Sequence, residues 1–200
     1  ATTAIDCIHT TAASHDRVFI VELMGHKVGW VTLHAGIAGG ADVILIPEIP
    51  YNLNHVIEAI KRRSEQGKGF TILAVAEGAI SKEDAKLSKK QYKEKLANRQ
   101  HSTVGYELAA QIEEATGQEV RVTIPGHTQR GGSPVPFDRV ISSRLGAAAA
   151  ELIHNEDYGK MVIMKGYEVS SIPLKETAGK LKYVSPDDQI VKQAKTLGIS

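Results

Sequence analysis

The stretch that decides the fold is Val120-Arg-Val-Thr-Ile-Pro-Gly-His-Thr-Gln-Arg-Gly-Gly-Ser-Pro-Val-Pro-Phe-Asp138. Its first residues alternate between apolar and polar side chains, with Val120, Val122 and Ile124 on one side, which is the pattern of a β-strand. A loop rich in glycine and proline follows, and a helical pattern begins near Asp138. The stretch therefore predicts a strand, a loop and a helix in succession.

The loop combines a permissive backbone with cationic side chains. Glycines let backbone N–H groups approach an anion closely and adopt positive φ. Arg121, His127 and Arg130 add hydrogen-bond donors that suit a phosphate group. The composition therefore suits a phosphate-bearing ligand. It does not establish one, because a loop rich in glycine and proline is usually only a turn.

Apolar runs typical of strands alternate with helical patterns along the rest of the chain. Besides the strand at Val120, the predicted strands are residues 17–23, 42–47, 70–76 and 160–165. The predicted helices begin with one near Ala1 and continue at residues 27–38, 53–66, 103–115, 138–153 and 186–197. Asn52 or Asn54 is expected to cap the helix at residues 53–66. Residues 81–98, dense in Lys and Glu, predict either an exposed helical excursion or a mobile segment.

This alternation indicates an α/β fold, in which a largely parallel sheet is covered by helices on both faces. No repeat, low-complexity tract or flexible linker divides the sequence, so we treat residues 1–200 as one portion. In such folds ligands bind at the carboxyl ends of the strands. Polar residues and a glycine follow three of the strands, at residues 22–26, 77–78 and 125–127. We therefore expect the residues at these three strand ends to form one ligand-binding site.

Composition bounds the functional classes. Hydrophobic residues make up 42% and charged residues 24% of the chain, which argues against disorder and membrane insertion. A formal net charge of +1 gives no indication of a nucleic-acid partner. Cys7, the single cysteine, lies in an apolar helical pattern and is expected in the core, and a lone cysteine agrees with a reducing cytoplasm. The histidines lack metal-ligand spacing, so we expect no metal site.

One segment of the loop closely resembles the signature of an enzyme family. Residues 125–139, Pro-Gly-His-Thr-Gln-Arg-Gly-Gly-Ser-Pro-Val-Pro-Phe-Asp-Arg, are similar to the signature of 6-phosphofructokinases. The resemblance runs from about Thr2 to the final helix. It implies that His127 and Arg130 hold the 6-phosphate of fructose 6-phosphate. It also implies that Arg121 reaches into the sugar site of a neighbouring subunit.

A second resemblance lies at residues 17–29, which are similar to the family pattern Arg-x-x-x-x-Glu-x-Met-Gly-Arg. It implies that Met24 and Gly25 line the sugar and that Arg17 is a phosphate ligand acting across a subunit boundary. His26 stands where the family commonly has a transition-state arginine. A mostly neutral imidazole stabilises a transferring phosphoryl group less than a guanidinium does, and Lys27 is the candidate to supply the charge instead.

Two acidic residues complete the resemblance. Glu77 corresponds to the family's sugar-binding glutamate, which accepts hydrogen bonds from sugar hydroxyls. Asp42, after Gly39-Gly40-Ala41, resembles the position where bacterial members bind a regulatory nucleotide and its Mg²⁺. The resemblance thus implies an acceptor site and an effector site on the same chain.

Taken together, the resemblance implies the sugar-phosphate-binding C-terminal portion of a larger two-domain 6-phosphofructokinase. The donor-binding N-terminal portion is expected upstream of residue 1, together with the catalytic aspartate, so no catalytic residue is assigned here and the chain alone is expected to be inactive. The whole enzyme would be a cytoplasmic, glycolytic homodimer or homotetramer that uses ATP or pyrophosphate with Mg²⁺. Neither a Gly-x-x-x-x-Gly-Lys nor a Gly-x-Gly-x-x-Gly loop occurs in the chain.

Two other functions remain open. One is a non-catalytic sugar-phosphate-binding regulatory subunit, which His26 in place of arginine favours. The other is an unrelated nucleotide-binding α/β module, against which the missing glycine-rich loop argues.

Overall fold

The structure is a computed structural model that describes residues 1–12 and 17–199. The chain forms two units, the first made of Ala1–Gln129 with Tyr183–Ser200 and the second of Arg130–Lys182. The sequence did not predict this division, because one boundary falls inside the loop between Gln129 and Arg130 and no glycine-rich linker marks the other.

The predicted strands and helices form in the predicted order, and one further strand, Glu168–Pro173, follows the last of the predicted strands. The strands are β1 (Arg17–Leu23), β2 (Val43–Leu45), β3 (Phe70–Ala76), β4 (Val120–Thr123), β5 (Lys160–Lys165) and β6 (Glu168–Pro173). The helices are α1 (Thr2–Ala12), α2 (Trp30–Ala38), α3 (Leu53–Glu65), α4 (Lys89–Ala97), α5 (Val104–Thr116), α6 (Pro136–His154) and α7 (Gln189–Thr196). Short 3₁₀ turns lie at Asp84–Lys86, Gly126–Arg130 and Leu174–Glu176.

The first unit is built on a four-stranded sheet in the order β2-β3-β1-β4, in which all neighbouring pairs are parallel. Successive side chains of β1 point to opposite faces. Val18 and Ile20 pack in a cluster with residues of α3 and α5, whereas Phe19 and Val21 pack with residues of α1 and α2. The predicted parallel sheet with helices on both faces is therefore confirmed.

The C-terminal helix α7 packs on the same unit. Val184 and Val191 join Leu33 and Ile46 in a third buried cluster. Asp188 caps the helix, since its Oδ1 accepts a hydrogen bond from the backbone N–H of Ile190 at 3.1 Å. The chain therefore returns to its first unit after leaving it at Arg130.

Some local predictions were wrong. Helix α2 begins at Trp30 and not at residue 27, because residues 25–28 form a turn in which Val28 N–H donates to Gly25 C=O at 3.0 Å. His26 in this turn has a φ of +53°, which no helix can include. Cys7 is exposed, since α1 buries only Ile5 and Ala12.

Within residues 81–98, the predicted helical excursion forms as α4 and as the 3₁₀ turn at Asp84–Lys86. Ser88 and Gln91 make a capping box at the start of α4, in which Ser88 Oγ accepts from Gln91 N–H at 3.3 Å and Gln91 Oε1 accepts from Ser88 N–H at 3.0 Å. Lys95 on this helix binds Asp84 at 2.7 Å and Glu107 at 3.6 Å. These bonds attach α4 to its neighbours, although α4 itself contributes no buried residue.

The second unit consists of α6 and a hairpin. The predicted strand β5 forms, but it pairs antiparallel with β6, which the sequence did not predict. Helix α6 begins at Pro136, two residues before the predicted start, with the proline in the first turn where its missing N–H is not needed. Large apolar side chains of α6 are exposed, with Phe137 70% and Val140 60% accessible.

Across residues 1–12 and 17–199, none of the helices combines the length and the hydrophobicity that crossing a membrane requires.

Candidate functional site

The ends of β1 and β3 are joined by one carboxylate. Glu77 Oε1 accepts hydrogen bonds from the backbone N–H groups of Gly25, at 3.1 Å, and His26, at 2.7 Å. Glu77 N–H donates in turn to Leu23 C=O at 2.9 Å, which extends the pairing of the two strands by one residue. Glu77 therefore fixes the loop that carries Met24, Gly25 and His26.

Two glycines allow this close approach. A Cβ added to Gly78 would lie 2.0 Å from the carbonyl oxygen of His26, and one added to Gly25 would lie 2.5 Å from the carbonyl oxygen of Val28. Both distances are shorter than any tolerable contact, so glycine is required at both positions. The two strand ends that the sequence predicted to meet do meet, in backbone contact.

The end of β4 reaches the same place through Gln129. Gln129 Oε1 accepts from the backbone N–H of Met24 at 3.2 Å, and its Nε2 donates to Gly126 C=O at 3.1 Å. Gln129 lies in the turn that carries His127, so this turn is attached to the end of β1. The sequence reading missed Gln129, although it stands in the quoted signature between His127 and Arg130.

The structure therefore brings together Met24, Gly25, His26 and Glu77, with the turn of His127 attached. Met24 and Gly25 are half-buried, whereas His26, Glu77 and His127 are exposed. Arg130 is the first residue of the second unit and its side chain is exposed as well. Within the first unit, exposed polar side chains therefore lie beside the half-buried Met24 and Gly25.

Arg17 and Arg121 lie elsewhere. Arg17 begins β1, so it is roughly 20 Å along the strand from Met24. Arg121 pairs in register with Phe19, near the same end of the sheet. Both guanidinium groups bind Glu119, whose Oε2 lies 2.5 Å from Arg17 Nε and whose Oε1 contacts Arg121. The structure brings the two arginines together, but not with the cluster around Glu77.

Asp42 has both of its oxygens engaged within the chain. Its Oδ2 accepts from the backbone N–H of Ile72 at 2.8 Å, and its Oδ1 lies 2.8 Å from Arg63 NH1. Burial raises the pKa of the Asp42 carboxyl, and the Ile72 hydrogen bond and the charge of Arg63 oppose that rise. In this arrangement Asp42 ties β2 to β3.

The described residues contain no cluster that would enclose a metal ion by itself. Mg²⁺ prefers several oxygen ligands around an octahedron. Within residues 1–12 and 17–199, no group of three or more His, Cys, Asp or Glu side chains is placed to hold a metal ion. His15, one of the dispersed histidines, lies outside the described residues. No chemical step at this site is therefore assigned to a metal held by these residues.

A further carboxylate supports the loop from its other end. Glu48 accepts from the backbone N–H of Gly29, at 3.0 Å and 3.1 Å through its two oxygens, and its Oε1 also accepts from Val184 N–H at 3.0 Å. Gly29 is the residue that caps α2. Glu48 thus joins the end of the 24–29 loop to the C-terminal segment. Sequence reasoning missed it, because no pattern links positions 29, 48 and 184.

The comparisons with known proteins agree with one another. The sequence matches the family described as Phosphofructokinase over residues 1–153. The ATP-dependent 6-phosphofructokinase of Spirochaeta thermophila is 52% identical over 198 residues, which is 99% of this chain and 54% of that protein. The ATP-dependent 6-phosphofructokinase 3 of Bacteroides thetaiotaomicron is 47% identical, over 100% of this chain and 54% of that protein. This chain therefore spans about half the length of the curated relatives it matches.

Solved structures give the same result. Phosphofructokinase from Saccharomyces cerevisiae has a TM-score of 0.67 at 32% identity and matches 88% of this chain and 22% of that one. The pyrophosphate-dependent phosphofructokinase from Marinobacter aquaeolei, at 21% identity, shares the fold with a TM-score of 0.72 over 100% of this chain and 52% of its own. The family match over residues 1–153 and the curated relatives at 47% and 52% identity show that this chain belongs to the phosphofructokinase family.

Proposed function

We propose that this chain is the sugar-phosphate-binding part of a 6-phosphofructokinase, the glycolytic enzyme that transfers a phosphoryl group to the 1-hydroxyl of fructose 6-phosphate. The observation that carries the proposal is the pair of hydrogen bonds that the backbone N–H groups of Gly25 and His26 donate to Glu77. In a member of this family, those bonds hold the loop expected to line the sugar. Rigid placement of the acceptor supplies a large part of the acceleration in phosphoryl transfer.

Each residue has a role in this proposal. His127 and Arg130 bind the 6-phosphate by charge-assisted hydrogen bonds. Met24 and Gly25 lie against the sugar. Glu77 Oε1 holds the loop, and its other oxygen, which makes neither of those two bonds, accepts from a sugar hydroxyl. Gln129 sets the position of the His127 turn relative to Met24.

The donor side is assigned to other parts of the protein. The relatives at 46–52% identity are named ATP-dependent, so we propose ATP as the donor, with pyrophosphate as the alternative. Mg²⁺ would come with the donor and neutralise its phosphate charge. A general base and a glycine-rich donor loop would have to be supplied by residues other than these 200. On its own the chain then binds the acceptor without turnover, and the working enzyme is a cytoplasmic homodimer or homotetramer.

Isothermal titration of fructose 6-phosphate into the intact protein tests the sugar site. Replacing Arg130 by Ala removes a charge-assisted contact and should weaken binding by about 2 kcal/mol or more. Arg144→Ala is the matched control, because Arg144 is an exposed arginine of the same unit that instead donates to Tyr167 C=O at 2.6 Å. Equal affinities for wild type and a folded Arg130→Ala variant would remove Arg130 from the site.

His26 supports one alternative function, a sugar-phosphate-binding regulatory subunit without activity. Its imidazole replaces the guanidinium expected to stabilise the transferring group, and its backbone is held at φ +53°. A coupled assay with ATP and with pyrophosphate separates the two functions. Turnover by the intact protein supports the enzyme. Sugar binding without turnover, restored by His26→Arg, supports the regulatory subunit.

A further inference from the structure

A cavity of about 320 Å³ lies in the first unit, away from the residues assigned to the sugar. It is bounded by the edge strand β2, by the start of α3 and by the C-terminal helix α7. The wall is mostly apolar, and its buried members include Leu33, Leu45, Ile46, Val56, Val191 and Ala194. None of the candidate sugar-phosphate residues contributes to it.

The polar part of the lining includes two lysines and a histidine. Lys82, Lys195 and His55 line the cavity with exposed side chains, and no aspartate or glutamate is among the lining residues. Within the described part of the chain, neither Lys82 nor Lys195 forms a salt bridge. The two ammonium groups at this rim therefore have no carboxylate among the lining residues to neutralise them.

These two properties define the chemistry of a ligand. Ligand pockets have volumes of about 300–1,000 Å³, apolar walls and a few polar groups that fix orientation. An apolar wall favours an alkyl chain, and a cationic rim favours an anionic head group on the same molecule. Lysine stems can lie along the apolar surface while their ammonium groups meet that head group.

We propose that this cavity binds a medium-chain monocarboxylate, with the alkyl chain between β2 and α7 and the carboxylate at the rim formed by Lys82, Lys195 and His55. The site is independent of the sugar site and of the reaction proposed for it. It includes residues of α7, so an occupied cavity also stabilises the packing of the C-terminal helix on the sheet edge.

Titration calorimetry with hexanoate, heptanoate and octanoate tests the apolar part. Each methylene that enters the cavity should strengthen binding about fourfold, from the transfer free energy of one CH₂ group. 1-Octanol should bind more weakly than octanoate, and octylammonium more weakly still, because the rim is cationic. Absence of saturable one-to-one binding, or affinity that does not change with chain length, would overturn the proposal.

Substitutions test the rim. Lys195→Gln and Lys82→Gln should each weaken octanoate binding severalfold and leave 1-octanol unchanged. Lys192→Gln is the matched control, since Lys192 lies on the same helix, pairs with Asp187 at 3.3 Å and does not line the cavity. If Lys192→Gln weakens octanoate as much as Lys195→Gln does, the effect is one of overall charge and the assigned rim is wrong.

A cavity-filling variant gives a second readout. Ala194→Leu places three more carbon atoms in the cavity and should weaken octanoate and 1-octanol equally. Circular dichroism checks that the variant is folded. If it is not, the lysine variants alone decide the matter, because both lysines are exposed and their replacement leaves the core intact. Undiminished octanoate binding by folded Ala194→Leu would place the ligand elsewhere.

Discussion

Glu77 accepts a hydrogen bond from His26 N–H at 2.7 Å, which fixes the residue after β3 to a residue three positions beyond the end of β1. The same oxygen accepts from Gly25 N–H at 3.1 Å. Hydrogen bonds to a charged acceptor are stronger than neutral ones. The loop of the candidate sugar site is therefore held by a carboxylate that the sequence suggested as a sugar ligand.

Replacing Glu77 by Ala should loosen this loop. Two backbone donors lose a charged acceptor, and hydrogen bonds of that kind contribute at most roughly 1.5–3 kcal/mol each, since Glu77 is exposed. Amide hydrogen exchange at Gly25 and His26 should accelerate, and fructose 6-phosphate affinity of the intact protein should fall. Glu77→Gln keeps an acceptor oxygen and should show a smaller change. Glu58→Ala, an exposed glutamate on α3, serves as control, and unaltered exchange at both amides in Glu77→Ala would contradict the role.

Gly78 should not tolerate a side chain. Its Cβ would lie 2.0 Å from His26 C=O, so Gly78→Ala has to displace the 24–29 loop, and overpacking of this kind costs roughly 1–3 kcal/mol. Gly69→Ala is the control, because nothing lies within 4 Å of its Cβ. Urea unfolding should show a lower midpoint for Gly78→Ala and a change within about 0.5 kcal/mol for Gly69→Ala. Equal urea midpoints for Gly78→Ala and Gly69→Ala would mean that the backbone at His26 can accommodate a Cβ at position 78.

The sheet could be predicted because its strands are apolar on both faces. A parallel strand between two helical layers buries every side chain, so Val-Phe-Ile-Val in β1 reads as one continuous run. The hairpin partner β6 could not be predicted in the same way. Half of the residues in its sequence Glu-Val-Ser-Ser-Ile-Pro are polar and none is fully buried, so it carries no continuous apolar signal.

The candidate site was predictable where it follows strand ends and not where it depends on long-range pairs. Met24, Gly25 and Glu77 stand just beyond apolar runs, which is where ligands bind in parallel sheets. Gln129 accepts a hydrogen bond from Met24, which lies 105 positions away in the sequence, and Glu48 accepts one from Val184, which lies 136 positions away. Such partners share no periodicity. Cys7 is an error of another kind, because burial was predicted and is not found. The apolar pattern of α1 predicted a buried side chain, but Cys7 is exposed.

Lys95 should hold α4 in a pH-dependent way. Its hydrogen bond with Asp84 raises its pKa above the usual 10.5. A raised lysine pKa means that the stabilisation is complete below the unfolded pKa and is lost as the pH rises through the folded one. The side chain is partly exposed, so the contribution is about 0.2–1 kcal/mol.

Lys95→Gln should therefore speed amide exchange in α4 at pH 8. The free energy of unfolding should differ between wild type and variant at pH 8, and the difference should vanish in strongly alkaline solution. Lys93→Gln, which alters an exposed lysine of the same helix, is the control. If amide exchange in α4 is as slow in Lys95→Gln as in the wild type, the capping box at Ser88 holds the helix without Lys95.

Arg121 should act in the sugar site of another subunit, although its own subunit pairs it with Glu119 beside Arg17. If so, an Arg121→Ala subunit damages its neighbour's site, whereas an Arg130→Ala subunit damages its own. Each variant of the intact protein should be nearly inactive alone. In a dimer assembled from both, one site carries both changes and the other carries neither. Random pairing then restores roughly a quarter of the wild-type activity.

The control is a second mixture, made of His127→Ala subunits and Arg130→Ala subunits. Both of those changes fall in the same subunit's site, so no pairing of these subunits yields an intact site and no activity should return. A mixture of Arg121→Ala and Arg17→Ala should also stay inactive, because both changes damage the neighbour's site. Activity is measured in the coupled assay after dissociation and reassembly, with sedimentation to confirm that hybrids form. Confirmed hybrids of Arg121→Ala and Arg130→Ala that remain inactive would contradict the assignment of Arg121 to the neighbour's sugar site.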